Sequence, residues 1–258
     1  MTTTDPALIC RRNGAVAEII FNRPHALNAI DEASACGFRD ACDALSRDPE
    51  VRAVVLKGSG RAFVAGGDLA FLDREPGNVA ERLIEPFHAG IERLCALACP
   101  VVASVHGVVA GAGLGLVLAS DLAIASEGTR FNMAYLRIGA SCDGGNSWFL
   151  PRTLGLKRAM EFALLDPVID AGEALRIGLV NKVVPETERE AQTRVMLERV
   201  CAAPPLAVTH MKRLLLASFG NGLRQQLDAE RDAFGACAGT AEFKQLVKEF
   251  FDARASRN

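Results

Sequence analysis

Short apolar, β-branched segments alternate with segments of helical periodicity over the first half of the chain. Four segments have the pattern of buried strands: "AVAEIIFNRP" (15–24), "VRAVVLKGSG" (51–60), "VVASVHG" (101–107) and "DLAIAS" (121–126). Apolar residues recur at helical spacing over 31–48 and about 77–97, and a small-residue helix is predicted after Gly107. Buried strands that alternate with helices are typical of α/β layers and not of a β-sandwich.

From about residue 186 onward the pattern is almost only helical. Three segments show this helical pattern, the first of which begins with two prolines while the other two are amphipathic: "PPLAVTHMKRLLLASF", "GLRQQLDAERDAFGAC" and "AEFKQLVKEFFDARA". We therefore predict two parts. An α/β core spans 1–200, and a C-terminal helical region over 201–258 caps that core or mediates assembly.

Charge and cysteine usage exclude several classes of partner. The net charge is −2, so nothing favours nucleic acid or an anionic membrane as a partner. The eight cysteines form no CxxC pair, and no Cys/His spacing matches a zinc site, so we predict reduced thiols and no metal. The N-terminus does not resemble a signal peptide, and the longest apolar run (101–120) is interrupted by glycine and polar residues. We expect a cytoplasmic protein.

Two glycine-rich stretches each follow a strand-like segment: "GRAFVAGGDL" (60–69) and "HGVVAGAGLGLVLASD" (106–121). Such stretches allow a helix to pack tightly on a strand, or they expose N–H groups that hold a phosphate or a developing oxyanion. Phosphate motifs are missing, because no GK[ST] ending occurs and GAGLGL does not fit GxGxxG. For either stretch by itself, the interpretation as a packing feature stays open. Two similar stretches in one chain, however, favour a shared site that binds the carbonyl group of a substrate.

The order of the motifs along the chain resembles that of a known family. It runs through "RPHALNAID", "VRAVVLKGSGRAFVAGGDL", "PVVASVHGVVAGAGLGLVLASDLAIAS", "FNMAYLRIGASCDGGNSWFLPRTLG", "ALRIGLVNKVV" and "PPLAVTHMKRLL". This order and spacing are similar to those of the crotonase superfamily, the enoyl-CoA hydratase/isomerase family. The resemblance implies a spiral of ββα turns with a C-terminal helical trimerisation region. It also implies an acyl-CoA thioester substrate, an acyl-CoA site in the core, and a homotrimer or a dimer of trimers.

The resemblance also implies which residues form the site. Two backbone N–H groups, of Gly67 and Ala112, would stabilise an enolate-like intermediate. The loop 25–29 would meet the adenine, and 62–69 would follow the pantetheine, with no cofactor beyond the coenzyme A of the substrate. The implied substrate-binding residues are Ala26, Leu27, Ala65, Gly66, Asp68, Leu69, Gly111, Tyr135, Trp148 and Phe250.

Several of these residues have alternative interpretations. Asp68 fits a helix cap better than a catalytic group. Tyr135 fits a pocket wall better than a hydrogen-bond donor to the substrate. Trp148 fits the core better than the acyl pocket. The family's C-terminal lysine position falls on Ala253, which puts that coenzyme A contact in doubt.

Hydratases of this family use two glutamates to activate and deliver water, and both glutamates are absent from this chain. Their positions fall on Gly115 and Tyr135. A glycine transfers no proton, and a tyrosine is a poor general base near neutral pH. We therefore predict that the chain keeps the oxyanion hole and lacks the usual hydration chemistry.

Asp143, in "GASCDGGNS", is the only carboxylate residue between Glu127 and Glu161. An aspartate before two glycines is a good turn residue, and it could also cap the following helix. In double-bond-shifting members of the resembled family, a carboxylate occurs at the aligned position. Within that resemblance we predict that Asp143 is catalytic.

Four functions compete on these residues. The leading one is isomerisation of an unsaturated acyl-CoA with Asp143 as acid and base. Alternatives are a nucleophilic role for Asp143, an atypical enoyl-CoA hydratase, or an acyl-CoA-binding protein without chemistry. A Ser/His peptidase is disfavoured, because no GxSxG motif occurs and Ser104 and His106 lie on one strand.

Overall fold

A computed structural model describes residues 5–255 of the chain. These residues form nine strands: β1 (Leu8–Asn13), β2 (Val16–Phe21), β3 (Ala53–Gly58), β4 (Val101–Val105), β5 (Val108–Ala110), β6 (Leu122–Ser126), β7 (Arg130–Asn132), β8 (Ile169–Asp170) and β9 (Lys182–Val184). They also form eleven α-helices: α1 (Glu32–Ser46), α2 (Leu69–Arg74), α3 (Glu85–Ala96), α4 (Ala112–Ala119), α5 (Asn146–Leu154), α6 (Leu156–Leu165), α7 (Ala171–Arg176), α8 (Glu186–Cys201), α9 (Pro205–Ala217), α10 (Leu223–Ala238) and α11 (Ala241–Ala255).

The first compact unit, which ends at Val200, contains a six-stranded sheet. Its strand order is β1-β2-β3-β4-β6-β9. The first pair is antiparallel and all the others are parallel. Strand β4 is buried along its whole length, as expected for a parallel strand covered on both faces.

A second sheet of three short strands has the order β5-β7-β8. Strands β5 and β7 run parallel, and β7 and β8 antiparallel. Strand β5 leads directly into α4 through Gly111, so this sheet sets the position of the α4 N-terminus. All eight residues of α4 are buried, which agrees with its uniformly small and apolar sequence.

The core of this unit includes a chain of ring contacts. Phe21 contacts both Phe38 and Phe63, and Phe38 also contacts Phe87, with ring centroids 5.7–6.4 Å apart. Phe38 lies on α1 and Phe87 on α3, so these rings join the two helices to the sheet through β2. Aromatic pairs at such distances add to the stability gained from apolar burial.

The second compact unit begins at Cys201 and contains α9, α10 and α11. The predicted helical character of this part of the chain is therefore confirmed, while its role in assembly stays a prediction. Within residues 5–255, no helix combines the length and apolar character that a bilayer crossing requires.

Candidate active site

The two glycine-rich stretches lie side by side. Val64 and Val109 form a parallel bridge, and the Ala110 N–H donates to the Val64 carbonyl at 3.0 Å. A Cβ on Gly111 would lie 3.4 Å from the Cα of Gly66, so the strands stay close beyond the bridge. Gly66 (φ +106°) and Gly111 (φ +51°, ψ −116°) have conformations that L side chains rarely adopt.

The two predicted oxyanion donors follow this glycine pair. Gly67 and Ala112 each come three residues after the bridged valines, and Ala112 is the first residue of α4. In the part of the chain that the structure describes, neither N–H has a hydrogen-bond partner. An amide at the first turn of a helix lacks an intrahelical acceptor and adds the positive end of the helix dipole. Both amides are thus available to the oxygen of a ligand.

Asp143 lies in the turn before α5 and is half-buried. Its carboxylate oxygen Oδ1 accepts a hydrogen bond of 2.5 Å from the hydroxyl of Tyr135. The N-cap of α5 is Gly145, and no side chain caps this helix, so the interpretation of the Asp143 carboxylate as a cap is wrong. Only its backbone carbonyl takes part in the turn, by accepting from the Asn146 N–H at 3.1 Å.

Tyr135 is held as a neutral hydrogen-bond donor. Burial raises the pKa of its phenol well above the ordinary value, and the charge of Asp143 raises it further. A neutral phenol has a single hydrogen, and here it points to Asp143. The substrate-donor alternative for Tyr135 does not fit this arrangement. A Cβ on Gly111 would lie 3.6 Å from the Tyr135 ring, which places the ring beside the second glycine-rich stretch.

The turn that carries Asp143 fills the space beside Gly115. A Cβ at Gly115 would lie 2.4 Å from the carbonyl oxygen of Gly144 and 3.2 Å from Nδ2 of Asn146. Even an alanine would force the backbone to move. Position 115, where the resemblance implies a glutamate in hydratases, therefore has no room for a side chain. A Cβ on Gly144 would in turn lie 3.8 Å from Cα of Ala112, so the turn adjoins the second predicted oxyanion donor.

Two residues that sequence reasoning missed hold this turn in place. The Gly144 N–H donates to Nε2 of His88 at 3.0 Å, which fixes the proton of a neutral ring on Nδ1. The side-chain amide of Asn146 donates to the carbonyls of Gly111 and Asp143. His88 lies on α3 among ordinary helix residues, so no sequence signal marks it. Asn146 stood in a segment that we interpreted only as a helix.

The loop that the resemblance assigns to coenzyme A lies against the first glycine stretch. The Ala65 N–H donates to the Leu27 carbonyl at 3.2 Å. Asn28, which is buried, donates to the carbonyls of Ser59, Ala62 and Phe63. Ala26 and Leu27 stay half-buried on this loop. The structure thus brings Ala26, Leu27, Ala65, Gly66 and Gly67 together.

Asp68 is the N-cap of α2, as its preferred interpretation predicted. Its carboxylate accepts from the N–H groups of Ala70 and Phe71, and it forms an ion pair of 2.7 Å with Arg23. Burial alone would raise the pKa of Asp68, but the Arg23 hydrogen bond and the two N–H donors outweigh it and lower the pKa. The adjacent Leu69 is 60% exposed.

Two of the implied binding residues, Trp148 and Phe250, are exposed to solvent. The Trp148 side chain is 45% exposed, so its interpretation as a core residue is wrong. The centre of its ring lies 3.9 Å from the guanidinium carbon of Arg152, and the ring contacts Phe149. Phe250 lies on α11 in the second unit, also exposed, and its role stays a prediction.

Other side chains that could act in catalysis or binding form hydrogen bonds or ion pairs within the protein. The Ser104 hydroxyl contacts Thr193 and Arg189, whereas Nε2 of His106 contacts the Gly60 carbonyl, so the two do not form a dyad. Lys57 forms ion pairs with Glu18 and Glu190. No three His, Cys, Asp or Glu side chains of residues 5–255 are grouped to hold a metal ion.

Comparison with known proteins places this geometry in a family. A family model described as enoyl-CoA hydratase/isomerase matches residues 11–257. The chain belongs to the enoyl-CoA hydratase/isomerase family. It is 36% identical over 240 residues to a "Probable enoyl-CoA hydratase" of Rhodobacter capsulatus, covering 93% of this chain and 92% of that one. Over 248 residues it is 33% identical to the 1,2-epoxyphenylacetyl-CoA isomerase of Escherichia coli, covering 93% of each.

A solved structure extends the likeness to the fold. The enoyl-CoA hydratase of Mycobacterium smegmatis superposes with a TM-score of 0.91 at 30% identity, covering 96% of this chain and 97% of that one. The predicted crotonase-type α/β fold is therefore confirmed. As a member of this family, the chain is an acyl-CoA enzyme of the hydratase/isomerase type.

Proposed function

We propose that this enzyme isomerises the double bond of an unsaturated acyl-CoA, with Asp143 as the single acid and base. One observation carries the proposal. Asp143 lies in a turn that adjoins Ala112 at Gly144, and the same turn occupies the space that a side chain at position 115 would need. The site therefore offers one carboxylate for proton transfer and lacks the pair of glutamates that adds water.

The chemistry needs only that carboxylate and two amides. With a 3-enoyl-CoA, the Asp143 carboxylate removes a proton from C2, and the electron pair moves onto the thioester oxygen. The N–H groups of Gly67 and Ala112 donate to that oxygen and stabilise the dienolate. Protonated Asp143 then returns the proton to C4. The electrons move back from the oxygen, a C2–C3 double bond forms, and the carboxylate is regenerated.

Tyr135 supports this role by remaining protonated. Because its pKa is raised, the phenol does not compete with Asp143 as a base at neutral pH. Its hydrogen bond to Oδ1 leaves Oδ2 of Asp143 for the substrate. We assign to Tyr135 the orientation of the carboxylate, together with the wall of the pocket beside Gly111.

The binding assignments are those that the resemblance implies. Ala26 and Leu27 would meet the adenine, and Ala65 and Gly66 would follow the pantetheine. The hydrogen bond from the Ala65 N–H to the Leu27 carbonyl, which holds the two segments side by side, supports a shared binding surface. Leu69 and Trp148 would provide exposed apolar surface for the acyl group, and Phe250 would contact the coenzyme A. No cofactor beyond the coenzyme A of the substrate is required, and the active form would be a homotrimer or a dimer of trimers.

Hydration is the second candidate function, because the Rhodobacter capsulatus and Mycobacterium smegmatis relatives carry hydratase names. It would need a different base from the two glutamates, and Gly115 has no room for one. The name of the Escherichia coli relative, in contrast, is that of an isomerase.

The experiment incubates the protein with 2-enoyl, 3-enoyl and ring-containing acyl-CoAs and identifies the products by mass spectrometry and chromatography. An isomer keeps the mass of the substrate, whereas hydration adds one water. We expect the wild type to form isomers, and we expect the rate of isomer formation to fall by about 100-fold or more in Asp143→Asn. Water addition that survives this substitution would establish the hydratase, and tight binding without any product would establish a binding protein.

A further inference from the structure

Asn146 contacts both halves of the candidate site. Its side chain is completely buried. Its Nδ2 lies 3.1 Å from the carbonyl oxygen of Gly111, 2.9 Å from that of Asp143 and 3.2 Å from the hydroxyl of Tyr135. The two carbonyls accept only, so they determine that the nitrogen and not the oxygen of this amide faces them.

The contact with Gly111 reaches the oxyanion donor through one peptide group. The carbonyl of Gly111 and the N–H of Ala112 belong to the same planar unit, so a bond that holds the oxygen also fixes the direction of the N–H. A hydrogen bond to a peptide carbonyl also polarises the N–H on its other side and makes it a better donor.

The other contacts reach the proton-transfer group. Asn146 holds the backbone carbonyl of Asp143, and it holds the hydroxyl of Tyr135, whose hydrogen binds the Asp143 carboxylate. One amide group therefore links the plane of the Ala112 donor to the position of the carboxylate. In catalysis these two must face the same substrate carbonyl and its neighbouring carbon.

Satisfying buried polar groups does not explain this residue. The Gly111 carbonyl also accepts from the N–H groups of Leu114 and Gly115, and the Asp143 carbonyl also accepts from the Asn146 N–H. The amide oxygen of Asn146 is itself buried and has no partner among the described residues. A buried amide that leaves its own oxygen unpaired costs stability, which favours a role in function.

We propose that Asn146 is a positioning residue that couples the Ala112 oxyanion donor to the Asp143 proton shuttle. The inference rests on the proposed function, because it assigns to Asn146 the relative placement of those two groups. Asn146 itself transfers no proton.

The test uses Asn146→Leu, which keeps the branching of the side chain and removes its hydrogen bonds. The probe is phenylacetyl-CoA labelled with ¹³C at the carbonyl, whose benzylic α-protons are acidic. Infrared difference spectra of the bound probe report the polarisation of the carbonyl by the oxyanion donors. Exchange of the α-protons in D2O reports the shuttle. Thr193→Val, which removes a buried and hydrogen-bonded polar group from a position on α8, serves as the matched control.

We expect Asn146→Leu to move the carbonyl band toward its position in free probe and to slow exchange by about 10- to 100-fold, with binding of the probe changed by less than about threefold. Thr193→Val should leave both readouts unchanged. Asp143→Asn should abolish exchange and leave the carbonyl band in place. Should Asn146→Leu fail to fold, Asn146→Ala, which adds no volume, gives the same comparison.

A carbonyl band and an exchange rate equal to those of the wild type in a folded Asn146 variant would overturn the coupling. So would a variant that slows exchange while the band stays in place, because Asn146 would then act on Asp143 alone. Exchange that persists in Asp143→Asn would instead contradict the proposed function, and the carbonyl band would still report whether Asn146 orients Ala112.

Discussion

At the scale of single residues, the site is a carboxylate whose surroundings come from distant parts of the chain. The resemblance to the family selected Asp143, because a carboxylate occurs at the aligned position in its double-bond-shifting members, whereas the residues alone also fitted a turn or a helix cap. Its partner Tyr135 was predicted as a pocket wall at the position of an absent glutamate, and not as a contact of Asp143. Their hydrogen bond depends on a tertiary turn, and local sequence patterns carry no information on which side chains such a turn brings together.

The raised pKa of Tyr135 gives a direct spectroscopic prediction. Tyr135 is the only tyrosine of the chain, so any phenolate absorbance belongs to it. Because burial and Asp143 disfavour the phenolate, we expect no phenolate signal in the native protein at pH 10.0, the ordinary pKa, where an exposed phenol is half ionised. Ultraviolet difference titration measures this. A half-ionised phenol at that pH in folded protein would contradict the arrangement.

The same shift links stability to pH. A group whose pKa is raised on folding contributes stability that is present below its ordinary pKa and is lost as pH rises above it. The free energy of unfolding should therefore fall above about pH 10 more steeply in the wild type than in Tyr135→Phe. Urea unfolding at a series of alkaline pH values measures both slopes. Equal slopes would show that Tyr135 ionises freely in the folded state.

At the scale of elements, the sequence predicted those with strong periodicity. Strands β2, β3, β4 and β6 and helix α1 lie within the predicted segments, because burial on the sheet imposes a clear apolar pattern. Strands β1, β5, β7, β8 and β9 were missed. Four of these have two or three residues, too few for any periodicity, and β1 has four exposed residues among its six.

The cap of α2 gives a prediction on stability. Asp68→Ala removes two bonds to backbone N–H groups and the Arg23 ion pair, and it should lower the free energy of unfolding by about 1–2 kcal/mol. The pKa of Asp68 is lowered from its ordinary 3.8, so this stability is present above pH 3.8 and is lost as pH falls further. Urea unfolding at neutral and acid pH measures the difference, and one that persists undiminished in acid would contradict this account.

The close approach at Gly115 predicts that hydration cannot be restored by a single substitution. Gly115→Glu places its Cβ 2.4 Å from the Gly144 carbonyl, and the strain should cost about 1–3 kcal/mol without producing a water adduct. Gly128→Ala is the control, because its Cβ would meet nothing within 4 Å. Thermal unfolding and product analysis measure both variants. A stable Gly115→Glu enzyme with hydratase activity would contradict the packing argument.

At the scale of the whole molecule, the second unit presents large apolar side chains to solvent. The exposed ones include Phe219, Leu223, Phe234, Phe250 and Phe251. Exposed apolar surface of this extent is typical of an interaction site. We predict a mass of three or six chains of 27.5 kDa by sedimentation, and dissociation in Phe234→Glu. A monomer at micromolar concentration would contradict the predicted assembly.

The most direct test of the central claim is deuterium uptake at C2 and C4 of a 3-enoyl-CoA in D2O, with Asp143→Asn measured beside the wild type. We expect exchange and double-bond migration in the wild type and neither in the variant, while both proteins bind the ligand. Undiminished exchange in Asp143→Asn would show that another base acts at this site and would contradict the role of Asp143 as the single acid and base.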